Sequence, residues 1–228
     1  GIDLPSIQRR TDKKLPRYLD QHKTDDTSQE LSIKAAQEDT FLFSGAEELV
    51  PFLALNDKKQ WQVRQFEDST KQCSIRQYRP RIEGGFSRIE RIDHKEKGYY
   101  WRVTSKENIT TFFGYTESCR IYDPTDPSKI FEWLPEFSFD DKGSWVWYTY
   151  KEENLDAVKN EVHEKNRFNQ LAHFTNKHLK SLKYGNQDAY YRNEAMPYEV
   201  AFPEKTAHFF ELVFDYGEHG TKDNPTYA

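Results

Sequence analysis

Residues 99–114 read Tyr-Tyr-Trp-Arg-Val-Thr-Ser-Lys-Glu-Asn-Ile-Thr-Thr-Phe-Phe-Gly. Two runs of β-branched and aromatic residues flank a polar tip from Ser105 to Asn108. Branched and aromatic side chains suit a pleated surface, and Ser and Asn suit turns, so the stretch predicts a β-hairpin. Successive side chains of a strand point to opposite faces. Tyr100, Arg102 and Thr104 therefore share one face, and Tyr99, Trp101 and Val103 the other. Neither face is purely apolar, which predicts a sheet with two half-wet faces.

The same pattern recurs along the chain. Strands are predicted near 6–9, 39–43, 48–55, 60–66, 73–79, 86–92, 115–122, 130–140, 144–150, 179–184 and 209–216. Turns separate them about every ten residues, the spacing of a meandering antiparallel sheet. Pro51 marks an edge or a bulge. The run Asp123-Pro124-Thr125-Asp126-Pro127 reads as a firm break, because its prolines remove donors. Asp141-Lys142-Gly143 supplies a glycine where a hairpin needs positive φ. Leu155, Val158 and Val162 stand at helical spacing and predict one short helix, about 154–166. The polar segment about 20–38 reads as a surface insertion. Strands do not alternate with long helices, so a parallel α/β sheet is not expected.

Composition sharpens this. The 228 residues are only 36% hydrophobic, with mean hydropathy -0.99, yet 15% are aromatic. Disordered chains are poor in rings, so this is a folded chain whose burial is carried by Tyr, Phe and Trp rather than by a thick aliphatic core. A net charge of -5 with both signs interleaved lacks the basic field of a nucleic-acid binder. No apolar run approaches the ~20 residues that span a bilayer, so no direct membrane insertion is expected. Residues 1–5 do not read as a signal peptide, and a start at Gly1 reads as a piece of a longer chain. Cys73 and Cys119 could form one disulfide or stay free; buried free thiols are the expectation.

Motifs for chemistry are missing. His163-Glu164 opens like a zinc-protease helix but lacks the second His, and His173 and His178 are five apart. No phosphate-cradling glycine loop and no nucleophile elbow occurs. Any two of the 38 carboxylates could meet as an acid pair, but so many acids read as solvated turn and edge charges. Trp145, Trp147 and Tyr148 could stack on a sugar or a base, and alternation reads them as sheet-packing rings. Arg9-Arg10 and Lys13-Lys14 read as solvated faces. No catalytic, cofactor-binding or metal-ligating residue is therefore assigned, and no cofactor is expected.

Several stretches, in order, carry a resemblance. They include Pro5-Ser6-Ile7-Gln8-Arg9-Arg10, Ser44-Gly45-Ala46-Glu47-Glu48-Leu49, Tyr78-Arg79-Pro80-Arg81-Ile82-Glu83-Gly84, the hairpin from Trp101 to Gly114, and Leu212-Val213-Phe214-Asp215-Tyr216-Gly217. Together they resemble the SpvB N-terminal family, shared with the B component of insecticidal toxin complexes (Tc toxins). Asp141-Lys142-Gly143 leading into Tyr148-Thr149-Tyr150 is similar to a YD/Rhs repeat unit. The resemblance implies a mainly β fold, a meandering antiparallel sheet strip of YD/Rhs-shell type with one short helix, over a single SpvB-like β region, residues 1–228. It implies a secreted, non-catalytic shell segment. Its partners would be a toxin-complex C component, as shell partner and cargo, and an A component, the translocation channel.

Other readings stay open. One is the non-catalytic N-terminal region of an ADP-ribosylating virulence toxin. An arginine-modifying transferase within these residues should show Glu-x-Glu, and none occurs. A carbohydrate-binding module would be tested on a glycan array.

Overall fold

The computed structural model describes residues 4–12, 14–18, 38–82, 84–155, 160–169, 174–200 and 208–216. The predicted insertion about 20–38 lies almost entirely outside these residues. The hairpin forms as read: β9 (Gly98–Thr104) pairs with β10 (Thr110–Phe113), Trp101 opposite Phe113 and Thr104 opposite Thr110. Before it come β7 (Cys73–Pro80) and β8 (Arg88–His94), and earlier still β1 (Ile7–Arg9), β2 (Phe41–Phe43) and β3 (Glu47–Pro51). After it come β11 (Arg120–Asp123), β12 (Asp126–Trp133), β13 (Pro135–Phe139), β14 (Trp145–Glu152), β15 (Lys177–Asn186) and β16 (His208–Val213). One antiparallel sheet holds them in the order β11-β12-β1-β2-β3-β7-β8-β9-β10-β13-β14-β15-β16.

The predicted strand 130–140 is two strands, and the break organises the fold. Trp133, at the end of β12, pairs with Ile7 and Arg120, whereas Pro135, at the start of β13, pairs with Phe113. Between them Leu134 donates its N–H to the Cys119 carbonyl and accepts from the Gly114 N–H. The segment 126–139 thus belongs to both ends of the arc β12-β1-β2-β3-β7-β8-β9-β10-β13, and the sheet curls until it nearly closes on itself. Gly114 makes the closure possible. Its φ is +61°, and a Cβ there would lie 2.5 Å from Trp133 Cδ1.

The curl has a ring-filled interior. Nearly every strand contributes: Ile7, Phe41, Leu49, Tyr78, Ile89, Trp101, Phe113, Ile130 and Trp133 are all buried there. Trp101 is its hub, with ring centroids 4.9 Å from Phe41, 5.0 Å from Tyr78 and 6.0 Å from Trp133, all edge-to-face. On the outer face of the same strands lies a second cluster, with Ile75, Ile92, Tyr100, Phe112, Phe137 and Trp145. Residues 190–200 cross over it and contribute Tyr190, Tyr198 and Val200. Tyr100 Oη donates to the Tyr198 carbonyl at 2.7 Å, and Arg102 Nη1 to the Pro197 carbonyl at 2.6 Å.

Both faces of the hairpin are therefore covered, contrary to the half-wet faces expected. Trp101 and Val103 enter the curl, and Tyr100 and Arg102 meet the crossing segment. The charged group on the outer face is paired inside: Arg102 reaches Glu90 at 2.7 and 2.9 Å, and both are buried. Arg9, expected on a solvated face, is buried on the inward side of β1 beside Asp39 at 2.9 Å, and donates to the Ile130 carbonyl. Arg10 is half-buried with Glu48, Lys14 donates to the Glu38 carbonyl, and Lys13 lies outside the described residues.

Smaller corrections follow from the same closure. The return strand 48–55 splits at Phe52 into β3 and β4 (Leu53–Leu55), and 60–66 splits at Arg64 into β5 (Trp61–Val63) and β6 (Gln65–Glu67). β4 and β5 leave the main sheet as a separate hairpin, while β6 rejoins β7. The region 115–122 begins with a single helical turn before β11. Asp123 to Asp126 is not a break but the tight turn of the β11–β12 hairpin, with Asp126 and Pro127 inside β12. The predicted helix is shorter and later: α1 (Lys165–Asn169) follows one turn at Val162–Glu164. Residues 154, 155, 160 and 161 are not helical, and 156–159 lie outside the described residues. Val162 is 81% exposed, so it offers no packing that would hold a longer helix.

Candidate assembly surface

Burial fades steadily past the curl. Every residue of β13 is buried, β14 is mostly half-buried after Trp145, and β15 retains only Ser181 buried. In β16 His208 is half-buried and the other five residues are exposed. The sheet thus emerges from a doubly covered body as a single layer with two wet faces. The half-wet faces expected of the hairpin are found instead at this far end of the sheet.

The last strand is apolar where it is exposed. Phe209 and Phe210 are 65% and 57% exposed, and Leu212 and Val213 are also exposed. Alternation puts Phe210 and Leu212 on one face and Phe209 and Val213 on the other. Tyr184 stacks on Phe210 with centroids 5.3 Å apart. β16 pairs only with β15, so its second edge is open among the described residues. Proteins usually blunt such edges with bulges, prolines or charges. The opposite end of the sheet is blunted in that way: β11 has four residues, two register shifts and an Asp-Pro turn. β16 carries one charge, Glu211, set 3.9 Å from Lys183.

His208 anchors this strand. Its ring lies edge-on to Trp145, centroids 4.1 Å apart. Burial first, then the charge of Lys183, hold its pKa below the usual 6.5. The unfolded chain therefore takes up the proton first. The stability from docking His208 is full above about pH 6.5 and is lost as pH falls through the lower folded value. Amide protection factors in β16, that is exchange corrected for its intrinsic pH dependence, are expected to fall as pH drops below about 6.5, and His208→Phe to flatten that dependence. An unchanged pH profile in the variant would remove His208 from this role.

The groups weighed for chemistry have structural employment. Asp39 accepts from Arg9 and from the Arg17 and Tyr18 amides, Glu90 from Arg102, and Glu136 from Thr116. Among the described residues no group of three His, Cys, Asp or Glu side chains could hold a metal ion. His163 is exposed beside Glu161 and Glu164, His178 packs near Tyr216, and His173 lies outside the described residues. Cys73 and Cys119 are free and buried, and burial pushes the Cys73 thiol up to about 11. Trp145 and Trp147 pack against the outer cluster and Tyr148 is half-buried, as sheet-packing rings should be. No helix among the described residues is long and apolar enough to cross a membrane.

Comparison with known proteins places this architecture. The family described as Salmonella virulence plasmid 65kDa B protein matches residues 1–228. Mono(ADP-ribosyl)transferase SpvB of Salmonella typhimurium is 30% identical over 152 residues, 64% of this chain and 24% of that protein. The same figures hold for its counterpart in Salmonella choleraesuis. The chain thus spans about a quarter of the curated relatives it matches. The N-terminal domain of effector protein SpvB from Salmonella typhimurium strain LT2 superposes with a TM-score of 0.74 at 26% identity, over 99% of this chain and 65% of that one. The TcdB2-TccC3 crystal structure lacking the hypervariable C-terminal region gives 0.70 at 25% identity, over 97% of this chain and 9% of that one. The Photorhabdus luminescens Tc holotoxin pore gives 0.67 at 26%, over 96% and 9%.

Proposed function

Because the chain belongs to the SpvB family, we propose that it is a structural shell segment of a secreted bacterial toxin-complex B component, which helps to enclose and deliver a toxic partner. Its likeness to the SpvB N-terminal domain and to Tc toxin structures supports a structural or delivery role. The observation that carries the finer reading is the thinning of the sheet from β13 to an open, apolar β16. A self-contained domain would cover that strand. A wall segment leaves it for the next strip of sheet. The whole of 1–228 acts as one region in this reading, with the C component as shell partner and cargo and the A component as translocation channel.

The segment is non-catalytic. The transferase name belongs to relatives of which this chain spans 24%, and no Glu-x-Glu occurs in it. Incubation with NAD and candidate protein substrates should yield no ADP-ribosyl transfer. Transfer abolished by changing one acidic side chain would overturn this.

The shell reading is tested in the full-length protein co-expressed with its C component. Phe210→Lys with Leu212→Lys should expose the enclosed cargo to protease, while the 228-residue chain keeps its unfolding free energy within about 1 kcal/mol, as surface changes do. Undiminished protection would reject β16 as a joint. The relatives at 30% identity favour a second reading, the non-catalytic N-terminal region of an ADP-ribosylating virulence toxin. Sequence following residue 228 separates the two: propeller and YD repeats mark the shell, a Glu-x-Glu transferase domain the toxin.

A further inference from the structure

A cleft of about 340 Å³ opens at the edge of the outer cluster, where three chain segments meet. Asn108 borders it from the β9–β10 tip, Asp140 and Asp141 from the β13–β14 turn, and Tyr191 from the crossing segment. Thr110, Phe139 and Tyr190 are the buried members of its lining and so form its floor. The frame is fixed before any ligand arrives. The Tyr190 N–H and Asn186 Nδ2 both donate to the Gly143 carbonyl, at 2.9 and 2.8 Å. A Cβ on Gly143 would lie 2.6 Å from Ala189 Cβ, so the turn and the crossing segment are in close contact. Inside this frame three polar groups are unengaged. The Asn108 amide, the Asp141 carboxylate and the Tyr191 hydroxyl make no side-chain hydrogen bond or ion pair among the described residues. All three residues are exposed, Tyr191 by 71%.

The charges around the cleft narrow what it can hold. Its cations already face carboxylates: Arg192 donates to Glu194 at 3.0 and 3.3 Å, and Arg88 stands 3.9 Å from Glu90. An anion would meet Asp140 and Asp141 with no guanidinium set aside for it. A wholly apolar ligand would strip water from those carboxylates and give nothing back. A neutral polyhydroxyl ligand meets both conditions. Its hydroxyls donate to carboxylate and amide oxygens and accept from amide and phenol donors, while its C–H face lies on a ring. We propose that the cleft binds a neutral sugar ring, stacked on Tyr191 and hydrogen-bonded to Asn108 and Asp141. The site makes no use of β16, the strand that carries the shell reading, so the two stand or fall separately.

The test is saturation-transfer NMR on the 228-residue chain with the methyl glycosides of glucose, galactose, mannose and N-acetylglucosamine. At least one should bind saturably, in about the millimolar range that suits so small a ligand. Asp141→Ala should weaken it about tenfold, as loss of a hydrogen bond to a charged group does. Tyr191→Ala should weaken it about as much, and Tyr191→Phe should keep most of the affinity because it keeps the ring. Both positions are exposed, so these variants should fold as the parent does. The same sugars at the ends of arrayed oligosaccharides separate a glycan terminus from a free sugar, and binding in either form supports the site. Absence of saturable binding in both formats overturns the proposal, as does binding that neither alanine variant weakens. Tighter binding of inorganic phosphate or of lysine amide also overturns it, because the cleft would then be selecting charge.

Discussion

Trp101→Ala is expected to lower the unfolding free energy by about 3–5 kcal/mol, the usual cost of truncating a fully buried large ring. The cost should reach the top of that range. Trp101 touches Phe41, Tyr78 and Trp133 edge-on, and these come from strands on opposite sides of the curl. No one of them can shift inward without unpairing its strand. Trp101→Phe separates ring from shape. It keeps an aromatic hub and deletes an indole N–H that is buried without an acceptor. The phenylalanine variant should therefore lose far less than the alanine one. Denaturant unfolding followed by near-UV circular dichroism decides the matter, and similar losses in the two variants would show that the hub is not where the curl is held.

Glu90→Ala should cost a comparable about 3–5 kcal/mol, because it strands the buried Arg102 guanidinium without its carboxylate. Glu90 Oε2 accepts two bonds from Arg102, and Arg102 in turn holds the Pro197 carbonyl and lies 4.2 Å from the Tyr198 ring centroid. The pair thus fastens residues 190–200 over the outer cluster. Trypsin should then cut faster at Arg192, an exposed residue at the start of that segment. Replacing both partners with apolar residues of similar size, Glu90→Leu with Arg102→Met, should recover most of the loss. If cleavage at Arg192 does not change in Glu90→Ala, the ion pair supports the sheet alone.

Local chemistry made much of the fold legible. The hairpin 99–114, the Asp-Lys-Gly turn and the antiparallel meander all rest on neighbours in sequence. Gly143 does take φ +89° there, with Asp140 accepting from the Lys142 and Ser144 amides. Which faces are buried does not rest on neighbours. Tyr100 and Arg102 are covered by residues almost a hundred positions later, and that segment carries no periodic pattern to announce it. Arg9 and Glu90 look like solvent-facing charges in any short window, because their partners, Asp39 just before β2 and Arg102 on β9, lie outside it in sequence. The division of β12 from β13 had a signal in Leu134-Pro135, since proline lacks the amide a continuous strand would use. The open edge was also visible, as an apolar run on both faces of β16. A strong strand and an uncovered strand look the same until its neighbours are counted.

The closure at residues 126–139 has a consequence for the order of events as the chain is made. Ser6 bonds to Glu132 across 126 positions, and Ile7 faces Trp133. A polypeptide leaving the ribosome or crossing an export channel N-terminus first presents Ile7 long before Trp133 exists to meet it. Contacts so distant along the chain make folding slow. Through that interval the rings of the curl have nowhere to go, and the chain stays threadable until its own middle arrives.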